Sequence, residues 1–322
     1  SLNRAGSDGG VSPAVDGSFL DVEPQPHQRI MLADLAHERA AGRHRNLVVA
    51  ATGTGKTVLA ALDYRRLAKG KPDGKSLLFV AHRREILQQA RSTFRQVLQD
   101  GTFGELFANG ERPTGWKHVF ASVQSLSSET LSSLAPHQFD VVIIDEFHHA
   151  EAPSYQRIID ALRPRELLGL TATPERADGV DVSQKFFNGR IASELRLWDA
   201  LEGDLLVPFH YFAIADNTDL RGLSFTRGSY DAQELEHLYV DEDRRSGIII
   251  NALTQRILDP STMKALAFCV SVRHAEHVAE VFNRAGIPAR ALSGATCVED
   301  RRSALADLRA GRIACVCTVD LF

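Results

Sequence analysis

From Ala50 to Thr57 the sequence reads Ala-Ala-Thr-Gly-Thr-Gly-Lys-Thr. Gly53 and Gly55 allow a tight backbone turn in which successive N–H groups point toward a common centre. Lys56 and Thr57 then bring an ammonium and a hydroxyl to the same place. Thr52, Gly53, Thr54, Gly55, Lys56 and Thr57 are therefore candidates to cradle a phosphate chain. The amides and a helix start would meet the oxygens, Lys56 would neutralise them, and the Thr57 hydroxyl would ligate Mg²⁺. Ala50 stands where this kind of loop usually opens with glycine. A glycine-rich turn capping an ordinary helix is the competing reading, and the Gly-Lys-Thr ending between an apolar run and a helical stretch argues against it.

A second constellation lies at Asp145-Glu146-Phe147-His148-His149, directly after the apolar run Val141–Ile144. An apolar strand that ends in two acids calls for a cation, because buried carboxylates are paired or bind metal. Asp145 is the candidate holder of Mg²⁺, and Glu146 the candidate to orient and deprotonate an attacking water. A pair of solvated loop acids is the alternative if the dipeptide is taken alone. The adjacent histidines cannot share a face, so His148 is expected as a polar relay and His149 as a surface or packing residue.

These groups need a scaffold that collects strand ends. Apolar runs alternate with amphipathic stretches, the pattern of parallel sheets with crossover helices, in a chain of 322 residues, long enough for two α/β domains. Strands are expected at Asn46–Ala51, Ser76–Ala81, His118–Ser122, Asp140–Asp145 and Leu167–Thr171. The intervening helices are expected at Lys56–Ala68, Arg84–Leu98, Gln124–Leu134 and Ser154–Leu162. A second run has strands at Pro208–Ala213, Lys264–Val270, Ala289–Leu292 and Ile313–Thr318, with helices at His274–Ala285 and Val298–Ala310. A joining stretch, 177–206, is expected to hold a helix at Glu194–Leu201, and Asp216–Tyr230 reads as a loop.

The formal net charge of −4 removes any argument for a polyanion partner from bulk electrostatics. Contacts to nucleic acid would need local amides, hydroxyls and a few cations. The four cysteines, Cys269, Cys297, Cys315 and Cys317, lack zinc-ligand spacing and read as reduced, buried thiols of a cytoplasmic protein. No apolar run reaches the length of a membrane span, so no membrane partner is expected.

Together these motifs resemble superfamily 2 helicases of the DExH type, in the branch of type III restriction enzyme helicase subunits and XPB-like translocases. The resemblance runs over nearly the whole chain from about Pro24. It implies an α/β fold of two RecA-like lobes with parallel sheets, the P-loop NTPase fold. Residues 21–176 would form the ATP-binding lobe, 177–206 the connection and 207–322 the second lobe, with 1–20 a flexible edge. It also implies ATP and Mg²⁺ as cofactors. Gln28 resembles the glutamine that reads adenine, although Gln25 stands where many relatives carry Arg. Thr171-Ala-Thr173-Pro174 resembles the motif that couples the nucleotide to the nucleic-acid cleft. His82 and Arg83, in Ala81–Glu85, and Ser122 and Gln124, in Ser122–Ser125, resemble motifs that contact the nucleic-acid backbone. Taken alone, Arg83 or Ser122 reads equally well as a helix cap.

Relatives continue past the Thr318–Asp320 motif into an arginine-bearing segment, whereas this sequence stops at Phe322. The second lobe is therefore expected to be incomplete, and the chain is expected to bind ATP and turn it over weakly. The implied activity is movement along nucleic acid, with DNA expected rather than RNA. The alternative is an ATP-gated binding subunit of a larger restriction or repair nuclease, with nuclease or accessory domains attached outside this sequence.

Overall fold

A computed structural model describes residues 21–70, 74–149, 153–175, 182–215, 220–226, 229–240 and 243–319. The expected edge at 1–20, Asp320, the side chain of His149 and parts of 177–206 and 216–230 lie outside them. The chain divides into two compact units, Ser1–Phe209 and His210–Phe322.

In chain order the first unit runs α1 (Pro26–Ala40), β1 (Arg45–Ala50), α2 (Lys56–Ala68), β2 (Leu77–Ala81), α3 (Arg84–Leu98), β3 (Glu105–Phe107) and β4 (His118–Ser122). It continues through α4 (Ser128–Ser133), β5 (Val141–Ile144), α5 (Pro153–Leu162), β6 (Glu166–Thr171), α6 (Val182–Phe187), β7 (Ser193–Leu195) and α7 (Leu197–Glu202). The seven strands form one sheet in the order β3-β4-β2-β5-β6-β1-β7, with every pair parallel. The strands alternate between two cores. Val48, Phe79 and Ile143 pack with α1, α2 and α3 on one face, while Val49, Val80 and Ile144 pack with α4, α5 and α6 on the other. A sheet covered on both sides explains why these strands are apolar throughout.

The amino ends of the strands are closed by a buried ion network. Arg39 of α1 forks onto Asp63 of α2 at 2.7 and 2.6 Å and donates from Nε to Glu166 of β6 at 2.9 Å. His44 takes the other Glu166 oxygen at 2.7 Å.

The second unit holds a short antiparallel pair, β8 (Phe225–Thr226) and β9 (Ser229–Tyr230), then α8 (Ala232–Val240) and α9 (Asp243–Arg256). After these come β10 (Ala265–Phe268), α10 (Val272–Arg284), β11 (Ala289–Leu292), α11 (Val298–Arg309) and β12 (Cys315–Thr318). The last three strands form a parallel sheet in the order β10-β12-β11. Its core packs Val278 and Phe282 of α10 against Cys315 and Cys317 on one face, and Ala304 of α11 against Val316 on the other.

Several expectations need correction. Pro208–Ala213 forms no strand: Tyr211 is 82% exposed, and no neighbouring strand takes its backbone. The expected helix at Glu194–Leu201 is split, because Ser193–Leu195 pairs beside β1 before α7 begins. The helix after β4 starts only at Ser128, whose turn is capped by the Ser127 side chain. Cys297 is not buried but exposed at the start of α11. No helix among the described residues is long and apolar enough to cross a membrane.

Candidate functional site

Parallel strands send all their carboxyl ends to one rim, where ligands of open α/β sheets bind. There β1 ends at Ala50 and α2 begins at Lys56, so residues 51–55 must reverse the chain. Gly53 and Gly55 take left-handed φ values of 92° and 82°. A Cβ on Gly55 would also stand 2.8 Å from the Gln28 amide nitrogen, so a side chain there meets both strain and a neighbour. The loop carbonyls are held from behind. Lys56 Nζ donates to Ala50 at 3.1 Å and Thr54 Oγ1 to Ala51 at 2.7 Å. From α1, Gln28 Nε2 donates to the Gly55 carbonyl at 3.3 Å, and His27 Nε2 lies 2.9 Å from that of Thr54. Gln28 thus reaches the loop itself, with its Oε1 accepting the Gln25 N–H at 3.0 Å. Sequence reasoning passed over His27, although it adjoins a residue singled out.

Asp145 follows β5 directly and is 8% exposed. It accepts the Glu146 N–H at 3.0 Å, and among the described residues no cation lies within ion-pair distance. Burial pushes its carboxyl up to about 6. The Glu146 charge adds to that rise, while the Lys56 ammonium across the rim pulls the other way. The phosphate-type loop and the acidic strand end therefore act on one another electrostatically. Glu146 has a left-handed φ of 50°. Its carboxylate stands 3.3 Å from His148 Nδ1, which also lies 3.1 Å from the Thr171 hydroxyl at the end of β6. Thr171 in turn donates to the Thr173 carbonyl at 3.1 Å and accepts the Thr173 N–H at 3.2 Å. A polar chain thus links Glu146, His148, Thr171 and Thr173. Tyr155 of α5, also missed from sequence, is buried nearby. Burial, with the charges of Asp145 and Glu146, raises its hydroxyl to about 12. That hydroxyl has no partner among the described residues.

The donor set suits a magnesium-bound triphosphate. The glycine turn leaves the first amides of α2 free of helical partners, as at every helix start. A desolvated carboxylate without a cation, a hydroxyl at Thr57 and a lysine converge on the same rim. No compact cluster of three or more His, Cys, Asp or Glu side chains that could hold a metal by itself occurs among the described residues. Such a donor set leaves most of a cation's shell to phosphate and water, as Mg²⁺ prefers.

Farther along the rim, the ends of β2 and β4 form a cleft of about 430 Å³ lined by His82, Arg84, Asn109, Gly110, Ser122, Gln124 and Ser125. Gln124 Nε2 meets His82 Nδ1 at 3.2 Å, and the Ser122 and Ser125 hydroxyls meet at 2.8 Å. Arg84, paired with Glu111, lines this cleft, whereas Arg83 is not among its lining residues. The expected contacts His82, Ser122 and Gln124 are thus brought together, and the arginine beside them is the next one in sequence.

Fold and rim have the RecA-like architecture of the P-loop class. Residues 21–176 match the family described as type III restriction enzyme, res subunit. Over 294 residues the chain is 29% identical to the "putative mitochondrial ATP-dependent helicase irc3" of Schizosaccharomyces pombe, covering 88% of this chain and 47% of that protein. It is 26% identical over 258 residues to the "type I restriction enzyme EcoAI endonuclease subunit" of Escherichia coli, covering 74% of this chain and 31% of that one. The chain thus spans about half or less of the length of these relatives. Among solved structures, the ATP-dependent type ISP restriction-modification enzyme LlaBIII bound to DNA matches with TM-score 0.64 and 16% identity, over 93% of this chain and 24% of that one. Dbp5 of S. cerevisiae bound to RNA and ADP BeF3 matches with TM-score 0.56 and 14% identity, over 92% and 70%. At such identities the two structures speak to the fold alone. The chain resembles superfamily 2 helicase-type proteins, the helicase subunits of restriction enzymes among them.

Proposed function

We propose that this chain is the motor portion of an ATP-dependent nucleic-acid helicase or translocase, acting on DNA in the cytoplasm. One observation carries the reading: a buried carboxylate without a cation, Asp145, feels the ammonium of Lys56 across a rim that also bears a glycine cradle. In this reading Thr52, Gly53, Thr54, Gly55, Lys56 and Thr57 hold the phosphates, with Gln28 at the base. Thr57 and Asp145 would hold Mg²⁺, which supplies charge neutralisation at the phosphate oxygens when bound. Glu146 orients the attacking water and takes its proton, and His148 carries the state of that carboxylate to Thr171 and Thr173. His82, Arg84, Ser122 and Gln124 grip backbone phosphates of a strand, and Arg83 lies beside them at the start of α3.

DNA as the substrate is our reading from the relatives named as type I restriction enzyme endonuclease subunits. The same relatives are much longer than this chain, which favours one further reading: the motor works as an ATP-gated subunit beside a nuclease in a larger protein. The test is nucleotide binding and hydrolysis with and without single-stranded DNA. Glu146→Gln should keep Mg·ATP binding and cut turnover by ~10²–10⁴-fold. Unchanged turnover in that variant would remove the mechanism. ATP hydrolysis indifferent to both DNA and RNA would remove the motor and leave a plain nucleotidase.

A further inference from the structure

A phosphate cradle works by the direction of its N–H groups, and in a trans peptide that direction is fixed by the carbonyl of the same unit. No cis bond occurs among the described residues, so C=O and N–H point opposite ways in each unit of the loop. Whatever holds the Thr54 carbonyl also aims the Gly55 N–H, and whatever holds the Gly55 carbonyl aims the Lys56 N–H. Both holders come from the first turn of α1: His27 lies 2.9 Å from the Thr54 oxygen, and Gln28 donates to the Gly55 oxygen. The second carbonyl has another donor in the N–H of Leu59, at 2.9 Å. No second donor to the Thr54 carbonyl occurs among the described residues, so His27 alone holds the peptide between Thr54 and Gly55.

The chemistry of the pair fixes its sense. A carbonyl only accepts, so Nε2 of His27 must carry the proton and donate. Nδ1 of the same ring is buried and meets no partner among the described residues, so within them the ring has a single polar use, the bond to Thr54. The helix that carries it is itself anchored at its far end by the Arg39 fork onto Asp63 and Glu166, which gives the imidazole a rigid support.

We propose that His27 is a positioning residue of the triphosphate site: its Nε2–H holds the Thr54 carbonyl turned away from the ligand and so aims the Gly55 N–H into the cradle. The inference rests on the reading that this loop holds a triphosphate. It differs from base recognition, because its effect falls on the phosphates whatever base is attached.

The experiment measures the affinity of the full chain for Mg·ATP, for Mg·GTP and for magnesium tripolyphosphate, which carries no base, together with the melting temperature without ligand. His27→Phe keeps the ring volume and removes the donor. It is expected to weaken ATP and tripolyphosphate by the same factor, about tenfold, as loss of one aimed hydrogen bond implies. His27→Gln places an amide nitrogen at the position of Nε2 and should restore both affinities to within about threefold of the unaltered protein. Loss of ATP affinity with tripolyphosphate affinity intact would overturn the proposal in favour of a base contact. A lowered melting temperature with unchanged affinities would overturn it in favour of simple packing, and so would failure of His27→Gln to restore binding. Should the Phe variant not fold, His27→Met, similar in length to Gln but without the donor, makes the same comparison. Lys56→Ala serves as the control: if it leaves all three affinities unchanged, the triphosphate reading fails, whatever His27 does.

Discussion

The two rims of the first unit's sheet treat buried carboxylates in opposite ways. At the amino ends, Asp63 is 2% exposed and fully engaged by the Arg39 fork, with Glu166 shared between Arg39 and His44. At the carboxyl ends, Asp145 is 8% exposed and among the described residues has only a neighbouring backbone N–H. A buried acid with its cation fixes three elements in place. A buried acid without one is a cost that a ligand can relieve. Burial alone therefore separates neither clamp from site, and the partner does.

The comparison can be broken in graded ways. The largest effect belongs to Lys56→Ala, which removes the ammonium that acts on Asp145 and should weaken Mg·ATP by ~10²-fold or more. Titration of nucleotide with and without EDTA measures it, and an unchanged affinity would dissolve the functional half of the contrast. Next comes Asp63→Asn, which leaves Arg39 buried beside a neutral amide and should cost about 3 kcal/mol in urea unfolding while nucleotide affinity in the folded protein holds. Asp145→Asn should do the reverse. It removes a desolvated charge, so the ligand-free protein should gain about 1–2 kcal/mol while Mg²⁺-dependent nucleotide binding is lost. Equal destabilisation by the two Asn variants would erase the distinction between the rims.

The smallest effect is a pH dependence at the amino end of β4, outside the Arg39 network. His118 stacks on Phe103 with centroids 4.4 Å apart. Burial, with Lys117 adding to it, lowers its imidazole from 6.5 to about 4. As the pH falls, the unfolded chain takes up this proton first, so stability is complete above about 6.5 and is lost progressively toward 4. Urea midpoints at pH 7 and pH 5 should differ less for His118→Gln than for the unaltered chain, and an equal difference would count against the burial account.

Much of the rim could be read in advance, because its chemistry sits at strand ends and strand ends are marked by apolar runs stopping at Ala50, Ala81, Ser122, Ile144 and Thr171. The helices at Lys56 and Arg84 begin where expected, since each follows its strand after a short turn. What was missed has physical reasons. The three residues of β7 carry no pattern of their own and are strand only because β1 offers an edge. β3 is equally short and pairs with β4 at the other margin of the sheet. α1 did carry a signal, with Gln28, Met31, Leu32 and Leu35 all buried at helical spacing. His27 lies in the first turn of that helix, beside Gln28. Tyr155 lay in an expected helix, and no spacing rule points a phenol toward an acid two elements away.

The placement of β1 between β6 and β7 reaches beyond catalysis. Its residues leave the ribosome well before those of its two neighbours, Glu166–Thr171 and Ser193–Leu195. During synthesis the nascent chain therefore carries an apolar segment, Leu47–Ala50, with both edges bare until nearly the whole unit has emerged. Such non-local parallel pairing is slow and prone to association in transit. The strand that leads into the glycine turn thus needs a chaperone, or dilution, to stay solitary while it waits for its neighbours.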